Sequence, residues 1–233
     1  MGLTHSPRIA TDGLILCLDA GNVRSYPGSG TSWTDLSRNK YNTTISSGSF
    51  NTSNGGSINF NGATQCVLDV DSFVRDYEAY TFDSFFYIGT SNAGAHFNMM
   101  NVPNSDSQSD GFWHHLNLTS NTWYWRTEDN VNGEKGGTVG DALPAGSWYH
   151  VSIVVKTNQL LFYVNGNLYK SINTLFNWSS LRTDRTVYLV IGKGYNYSYG
   201  FTGKISTFYM YSTELSPEQI RQNYLATKGR FNL

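Results

Sequence analysis

The sequence predicts an all-β protein, a two-sheet antiparallel β-sandwich with one short C-terminal helix. Three observations predict it. Apolar residues alternate with polar ones over short runs, the period of a half-buried strand. Turn-forming pairs such as Gly55-Gly56, Asn61-Gly62 and Asn165-Gly166 separate those runs. Aromatic residues make up 15% and charged residues only 14%, with 23 glycines. That balance favours strands joined by tight turns and opposes disorder, which needs high charge and few aromatics. A chain of 233 residues can bury a core without disulfides or metals. The whole length reads as one domain, with an N-terminal arm over residues 1–12.

The elements follow in order. Leu14, Leu16 and Leu18 alternate with Ile15, Cys17 and Asp19 as a buried first strand. Residues 20–56 are turn-rich, with Tyr26-Pro27-Gly28 as a breaker, and Trp33 is expected to pin this excursion to the body. Ser57–Asn61 alternates cleanly into Asn61-Gly62, and Gln65–Val70 is expected to pair back as a hairpin. Tyr80, Phe82, Phe86 and Ile88 share one strand face, whereas Met99–Asp110 reads as a polar loop. Phe112–Leu118 and Asn121–Thr127 form a hairpin that places Trp123 and Trp125 on one face.

The strongest local pattern is a meander. Tyr149, Val151, Ile153 and Val155 form one face, and Lys156–Gln159 turn the chain. Leu160, Phe162 and Val164 return, and Leu168–Ile172 pairs back across Asn165-Gly166. Val187–Ile191 and Phe201–Tyr211 close the sandwich. The helix occupies 216–229. Ser216 caps it, Pro217 suits its first turn and Gln219 completes a capping box. Leu215 and Ile220 form a hydrophobic staple, and Gly229 is the expected stop.

Composition also bounds function. The net charge is −1 and no long basic run occurs, so nucleic acid is not an expected partner. No apolar stretch is long enough for membrane insertion. Met1–Ala10 is polar and lacks an apolar signal core, which predicts cytoplasmic synthesis without a signal peptide. Cys17 and Cys66 lie in strand-like runs and are expected as buried thiols, since one bridge would need an oxidising compartment and no zinc spacing is present.

Trp148-Tyr149-His150-Val151 followed by Leu161-Phe162-Tyr163-Val164-Asn165-Gly166 resembles the central hairpin of laminin G-like domains. Ser57–Gly62, Ile191-Gly192 and Phe201-Thr202-Gly203-Lys204-Ile205 are similar to that family's early and closing strands. The resemblance implies a concanavalin A-like jelly roll. A narrower likeness concerns the two ends. His5-Ser6-Pro7, Asp12-Gly13-Leu14, Leu18–Asn22, Ser25–Gly30 and Trp33–Leu36, with Leu215–Phe231, resemble virion structural proteins of tailed phages, especially those of marine bacteria. This implies a lectin-like particle component, a capsid decoration or appendage protein at the virion surface, made in the bacterial host cytoplasm. Its expected partners are other virion proteins, further copies of itself and glycans. The alternative is a carbohydrate-binding host-adhesion module, and the third reading is a glycan hydrolase.

No catalytic motif supports an enzyme. A retaining glycosidase needs two carboxylates flanking the scissile bond. Related glucanases carry Glu-x-Asp-x-(x)-Glu on one strand, and none of Glu78, Glu128, Glu134, Glu214 and Glu218 forms that pattern. Glu128-Asp129 and Glu134 read as solvated turn charges. His114 and His115 point to opposite strand faces, and His150, opposite Val151, reads as a surface residue. Sugar binding combines an aromatic platform with polar hydrogen-bonding neighbours. Two clusters offer this: Tyr195, Asn196, Tyr197 and Tyr199 in a glycine-flanked loop, and Trp113, Trp123, Trp125 and Arg126. The candidate ligand-binding residues are Tyr195, Asn196, Tyr197, Tyr199, Trp113 and Arg126. No cofactor is expected. Calcium, which needs converging oxygens, has only Asp69 with Asp71 and Asp106 with Asp110 to draw on.

Overall fold

The computed structural model describes residues 8–89, 94–101, 110–117, 122–193 and 200–233. Strand β1 (Leu14–Asp19) buries Leu16 and Leu18. Short strands β2 (Ser32–Trp33), β3 (Thr43–Thr44) and β4 (Ser49–Asn51) punctuate the turn-rich excursion, which fully buried Trp33 anchors to the core as expected. Strands β5 (Ser57–Asn61), β6 (Cys66–Asp69), β7 (Ala79–Ile88), β8 (Gly94–Asn101) and β9 (Gly111–Asn117) follow. After them come β10 (Thr122–Asp129), β11 (Gly133–Asp141), β12 (Trp148–Lys156), β13 (Gln159–Val164) and β14 (Asn167–Asn173). Strands β15 (Val187–Ile191) and β16 (Thr202–Tyr211) lead to helix α1 (Pro217–Thr227).

Two antiparallel sheets face each other. The larger has the order β14-β13-β12-β7-β16-β5-β4, with β1 also paired to β16; the smaller runs β11-β10-β9-β8-β15-β6. A register shift between Ile205 and Thr207 lets β16 pair β5 with its first half and β1 with its second. The meander forms as the sequence predicts. Its turn holds Asn165 at φ 50° and Gly166 at φ 76°, the left-handed pair that a tight hairpin requires.

Two strand expectations are corrected. Gln65–Val70 does not pair with Ser57–Asn61. Both edges of β5 are already taken, by β4 and β16, and the Asn61 carboxamide oxygen accepts from the amides of Ala63 and Thr64. The turn becomes a corner that carries β6 into the smaller sheet, beside β15. Met99–Asp110 is not all loop, because β8 runs to Asn101 and Met99 is fully buried. Asn98 and Asn101, on either side of Met99 and Met100, disguised that strand.

The core lies between the sheets. Tyr80, Phe82, Phe86 and Ile88 meet Phe97, Met99 and Phe112 across it. Phe82 sits 4.7 Å from Phe97 and Trp178 edges Tyr80 at 5.1 Å. His96 is enclosed here, 4.1 Å from the Phe86 ring, with Nε2 3.4 Å from Ser84 Oγ. Burial drives its pKa down to about 3.

The outer face of the larger sheet is also covered. Helix α1 begins with the predicted capping box and packs Leu215 and Ile220 with Tyr211, Tyr163 and Val154. It ends at Thr227 and tightens into a short 3-10 turn over Lys228–Arg230, so Gly229 is not the stop. Phe231 stacks on Phe85 at 4.8 Å and lies 4.4 Å from Trp148. Beneath the helix, fully buried Asp83 Oδ2 accepts from Ser152 Oγ at 2.7 Å, His150 Nε2 at 3.0 Å and Asn223 Nδ2 at 3.2 Å. The Asn223 carboxamide oxygen in turn accepts from the Ala10 amide at 2.7 Å, which ties the N-terminal segment to the same spot.

Two outcomes follow. Asp83→Ala leaves three buried donors without their acceptor and should lower unfolding stability by about 3 kcal/mol or more, measured by urea titration. His96 is held neutral in the fold while its unfolded pKa is near 6.5, so the unfolded state takes up the proton first. Its contribution is therefore complete above about pH 6.5 and is lost as pH falls toward about 3. Urea midpoints should drop between about pH 7 and pH 4, and His96→Leu should flatten that drop. An equally steep drop in the variant would remove His96 from the acid response.

Candidate functional site

With the back of the larger sheet closed by α1, the outer face of the smaller sheet and the sandwich edges remain for ligands. Strand β10 sets up that face by strict alternation. Trp123, Trp125, Thr127 and Asp129 point inward, while Thr122, Tyr124, Arg126 and Glu128 point outward. Trp113, on β9, is the register partner of Arg126 and shares its outward side. The rings of Trp113 and Tyr124 meet edge to face, 6.2 Å apart. Arg126 Nη2 holds Glu128 Oε2 at 2.6 Å and Glu134 Oε2 at 3.0 Å. Farther across the sheet, Tyr188 and Asp69 face outward as register partners.

The structure thus brings Trp113 and Arg126 together and separates Trp123 and Trp125 from them. Trp123 belongs to the core, 5.4 Å from Phe162, and stacks on Tyr169 at 5.4 Å. Tyr195, Asn196, Tyr197 and Tyr199 lie outside the described residues. The two ends of their segment are described: Lys193 bridges Gly200, and the Lys193 carbonyl accepts from Asn98 Nδ2 at 2.8 Å. Asn98 is the register partner of Trp113. Sequence reasoning missed Tyr124, Glu128, Glu134 and Tyr188 as members of this face. The signal was present, since the alternation that sends Trp123 and Trp125 inward sends Tyr124, Arg126 and Glu128 outward.

Several charged groups differ from expectation. Glu128 and Glu134 are not free turn charges but ligands of Arg126. Asp129 is buried; its carboxylate accepts from the amides of Val131 and Asn132, which shapes the hairpin turn, and from Asn177, which fastens the next loop. His150 lies opposite Val151 as read, yet that side is roofed by α1 rather than solvent. It serves the Asp83 network. His114 is buried 5.7 Å from both His96 and Trp123. Asp110 is fully buried instead of sitting in an open loop. Burial raises its pKa, opposed by the Arg182 amide at 2.7 Å and the Arg182 guanidinium.

Of the calcium candidates, Asp69 and Asp71 are engaged within the fold. Asp69 Oδ1 accepts from the Asp71 amide at 3.0 Å, Asp71 Oδ1 takes Arg75 at 2.9 Å and the Val187 amide at 3.1 Å, and Asp106 lies outside the described residues. Among the described residues no group of three or more His, Cys, Asp or Glu side chains could hold a metal. Cys17 and Cys66 are free and buried, as expected. Burial pushes the Cys17 thiol up to about 12 and raises Cys66 as well, so neither is a ready nucleophile. Among the described residues no helix is long and apolar enough to cross a membrane.

Comparison with known proteins agrees with this architecture. Among curated proteins no sequence matches. A structure of botulinum neurotoxin type C, whose uptake by cells is described as dependent on two ganglioside molecules, superposes with a TM-score of 0.63 at 15% identity, covering 91% of this chain and 51% of the toxin chain. The binding domain of botulinum neurotoxin DC, in complex with rat synaptotagmin II, gives 0.66 at 16% identity, covering 93% and 52%. A Trypanosoma rangeli sialidase gives 0.68 at 16% identity, covering 94% and 33%. This chain therefore spans about half the length of those toxin chains and a third of the sialidase. At such identities the likeness concerns the fold. The sequence itself matches the family of concanavalin A-like lectin/glucanases over residues 60–221. With two antiparallel sheets in place and that match spanning most of its length, the chain belongs to the concanavalin A-like lectin/glucanases superfamily.

Proposed function

We propose that this chain is a non-catalytic, lectin-like module that contacts glycans through the outer face of its smaller sheet. The carrying observation is the Trp113–Arg126 pair. An aromatic ring and a charged, hydrogen-bonding side chain lie directly across from each other on neighbouring strands. The ring offers an apolar surface to a pyranose face, and Arg126 with Glu128 and Glu134 offers donors and acceptors to its hydroxyls. The ion pairs fix the guanidinium before a ligand arrives, which lowers the ordering cost of binding. Gangliosides named with one toxin neighbour, and the sialidase among the others, agree with a glycan ligand.

The setting we assign to the module is the surface of a tailed-phage particle, as capsid decoration or appendage, with host adhesion as the alternative. Support comes from the terminal segments His5–Pro7, Leu18–Asn22 and Leu215–Phe231 and their likeness to virion proteins. Self-association fits a particle component of this kind.

A hydrolase reading has one observation in its favour, the approach of Glu128 and Glu134 to a common point. That point is Arg126 Nη2, and the guanidinium occupies the space a glycosidic oxygen would need between two working carboxylates. We therefore assign the two glutamates to binding.

Trp113→Ala should weaken binding to the best ligand on a glycan array by at least about tenfold, with the thermal midpoint little changed. Full retention of binding would remove this face as the site. Mass spectrometry of purified particles should find the chain as a stoichiometric component, and its absence would overturn the virion setting. Incubation with bacterial or algal polysaccharide should release no reducing ends; release that Glu128→Gln abolishes would restore the hydrolase.

A further inference from the structure

A second feature lies on the other side of β10. Trp125, pointing inward next to outward Arg126, reaches the open edge of the sandwich. There it lines a groove of about 610 Å³, within the size range of small-ligand sites. Strand β11 forms one wall and residues 173–175 form the other.

Lys135 and Gly136 are the β11 residues that line the groove, and Gly137 adjoins them. Glycine weakens a strand interior and often marks close approach by a ligand. Three of the β11 glycines have local reasons. Gly133 turns the chain at φ 64°, a side chain at Gly136 would strike Tyr124 Oη at 2.9 Å, and one at Gly140 would strike Tyr169 Oη at 2.6 Å. Gly137 has none. Its backbone is ordinary, and a Cβ there would meet Trp125 Nε1 no closer than 3.5 Å, a normal contact. Gly137 stands directly across from Trp125 in register. The missing side chain leaves the Nε1 edge of an otherwise buried indole, 6% exposed in all, bordering the groove.

Polar groups brace the rest of the groove. Asn158 fixes the far wall: its carbonyl accepts from the Thr174 amide, its amide donates to the Phe176 carbonyl, and its carboxamide oxygen accepts from the Phe176 amide. Thr174 Oγ1 is buried and has no hydrogen-bond partner among the described residues. Lys135 Nζ bonds the carbonyls of Asn132 and Glu134, and among the described residues it meets no carboxylate. Exposed Leu175 and Asn173 complete the opening.

We infer that this groove binds an acidic glycan, with one carboxylated sugar unit against Trp125 and Leu175 and its carboxylate on Lys135. Asn173 and the Thr174 hydroxyl meet the sugar hydroxyls. The inference shares the glycan-binding reading above but not its site, because Trp125 and Arg126 face opposite sides of one strand.

Native affinity electrophoresis of the full chain tests it, in gels containing polygalacturonate or polysialic acid, with neutral dextran as the comparison. The expected result is retardation by at least one acidic polymer and not by dextran. Gly137→Leu, which lays a side chain over the indole, should weaken that retardation about tenfold. Lys135→Gln should weaken it too, whereas Trp113→Ala should leave it intact. Should Gly137→Leu fail to fold, Gly137→Ala, whose Cβ meets only ordinary contacts, and Lys135→Gln carry the test. No retardation by either acidic polymer overturns the inference, as does retardation that the folded groove variants do not change. Loss in Trp113→Ala alone would overturn it while supporting the outer face. Glycan-array binding that depends on Trp113, with no retardation here, would leave the first reading standing and this one fallen.

Discussion

One buried carboxylate, Asp83, holds helix α1, and through it the Ala10 segment, against the middle of the larger sheet. It sits at 0% exposure on central strand β7, where an ion without partners would be costly. Three donors from β12 and α1 make the position tenable, and Asn223 extends the network to Ala10. Helix α1 has only 11 residues, below the length at which isolated helices are stable in water, so its formation depends on this docking. Tyr211 joins in: its hydroxyl accepts from Asn223 at 3.0 Å and donates to the Ala10 carbonyl at 3.1 Å, and burial, with the nearby Asp83 charge, holds its phenol protonated. Arg230 adds a clasp to Asp19 at 2.9 Å, joining the segment after α1 to the end of β1.

Closing that side leaves the outer face of the smaller sheet and the open edge for the sites we propose, and β10 supplies most of both. Consecutive residues of one strand serve different surroundings. Trp123 completes the core, Tyr124 and Arg126 build the outer face, and Trp125 reaches the edge groove. Both neighbours of β10 matter. From β9 comes Trp113, the aromatic partner of Arg126, and from β11 come Glu134, which braces the guanidinium, and Gly137, which leaves one edge of the Trp125 indole at the groove.

Much of the fold was legible because period-2 alternation and turn dipeptides are local signals. The meander from Tyr149 to Ile172 and the capping box at Ser216 are determined within a few residues. What local reasoning could not reach was competition for strand edges and cover by distant elements. Asn61-Gly62 looks like a hairpin turn, but the edges of β5 were filled by β4 and β16. His150 was placed on the correct side of its strand and assigned the wrong surroundings, because the roof over it begins more than sixty residues later, at Pro217. The candidate site was half legible. Trp113 and Arg126 stood out by residue type, while Glu134 joined them only through the folding back of β11.

The Ala10 segment and the segment after α1 lie on the opposite side of the sandwich from the Trp113 face. The segment after α1 packs Phe231 and Leu233 beside Phe85, behind the larger sheet, and Ala10 is fastened to the same helix. The domain is therefore a two-sided fitting. Whatever holds it by the helix side, whether a neighbouring copy, a particle surface or an immobilising tag, turns Trp113 and Arg126 toward the medium and does not shadow them. Many copies mounted that way would present the proposed glycan face in one orientation, so that a polymeric ligand would be held by avidity rather than by any single contact.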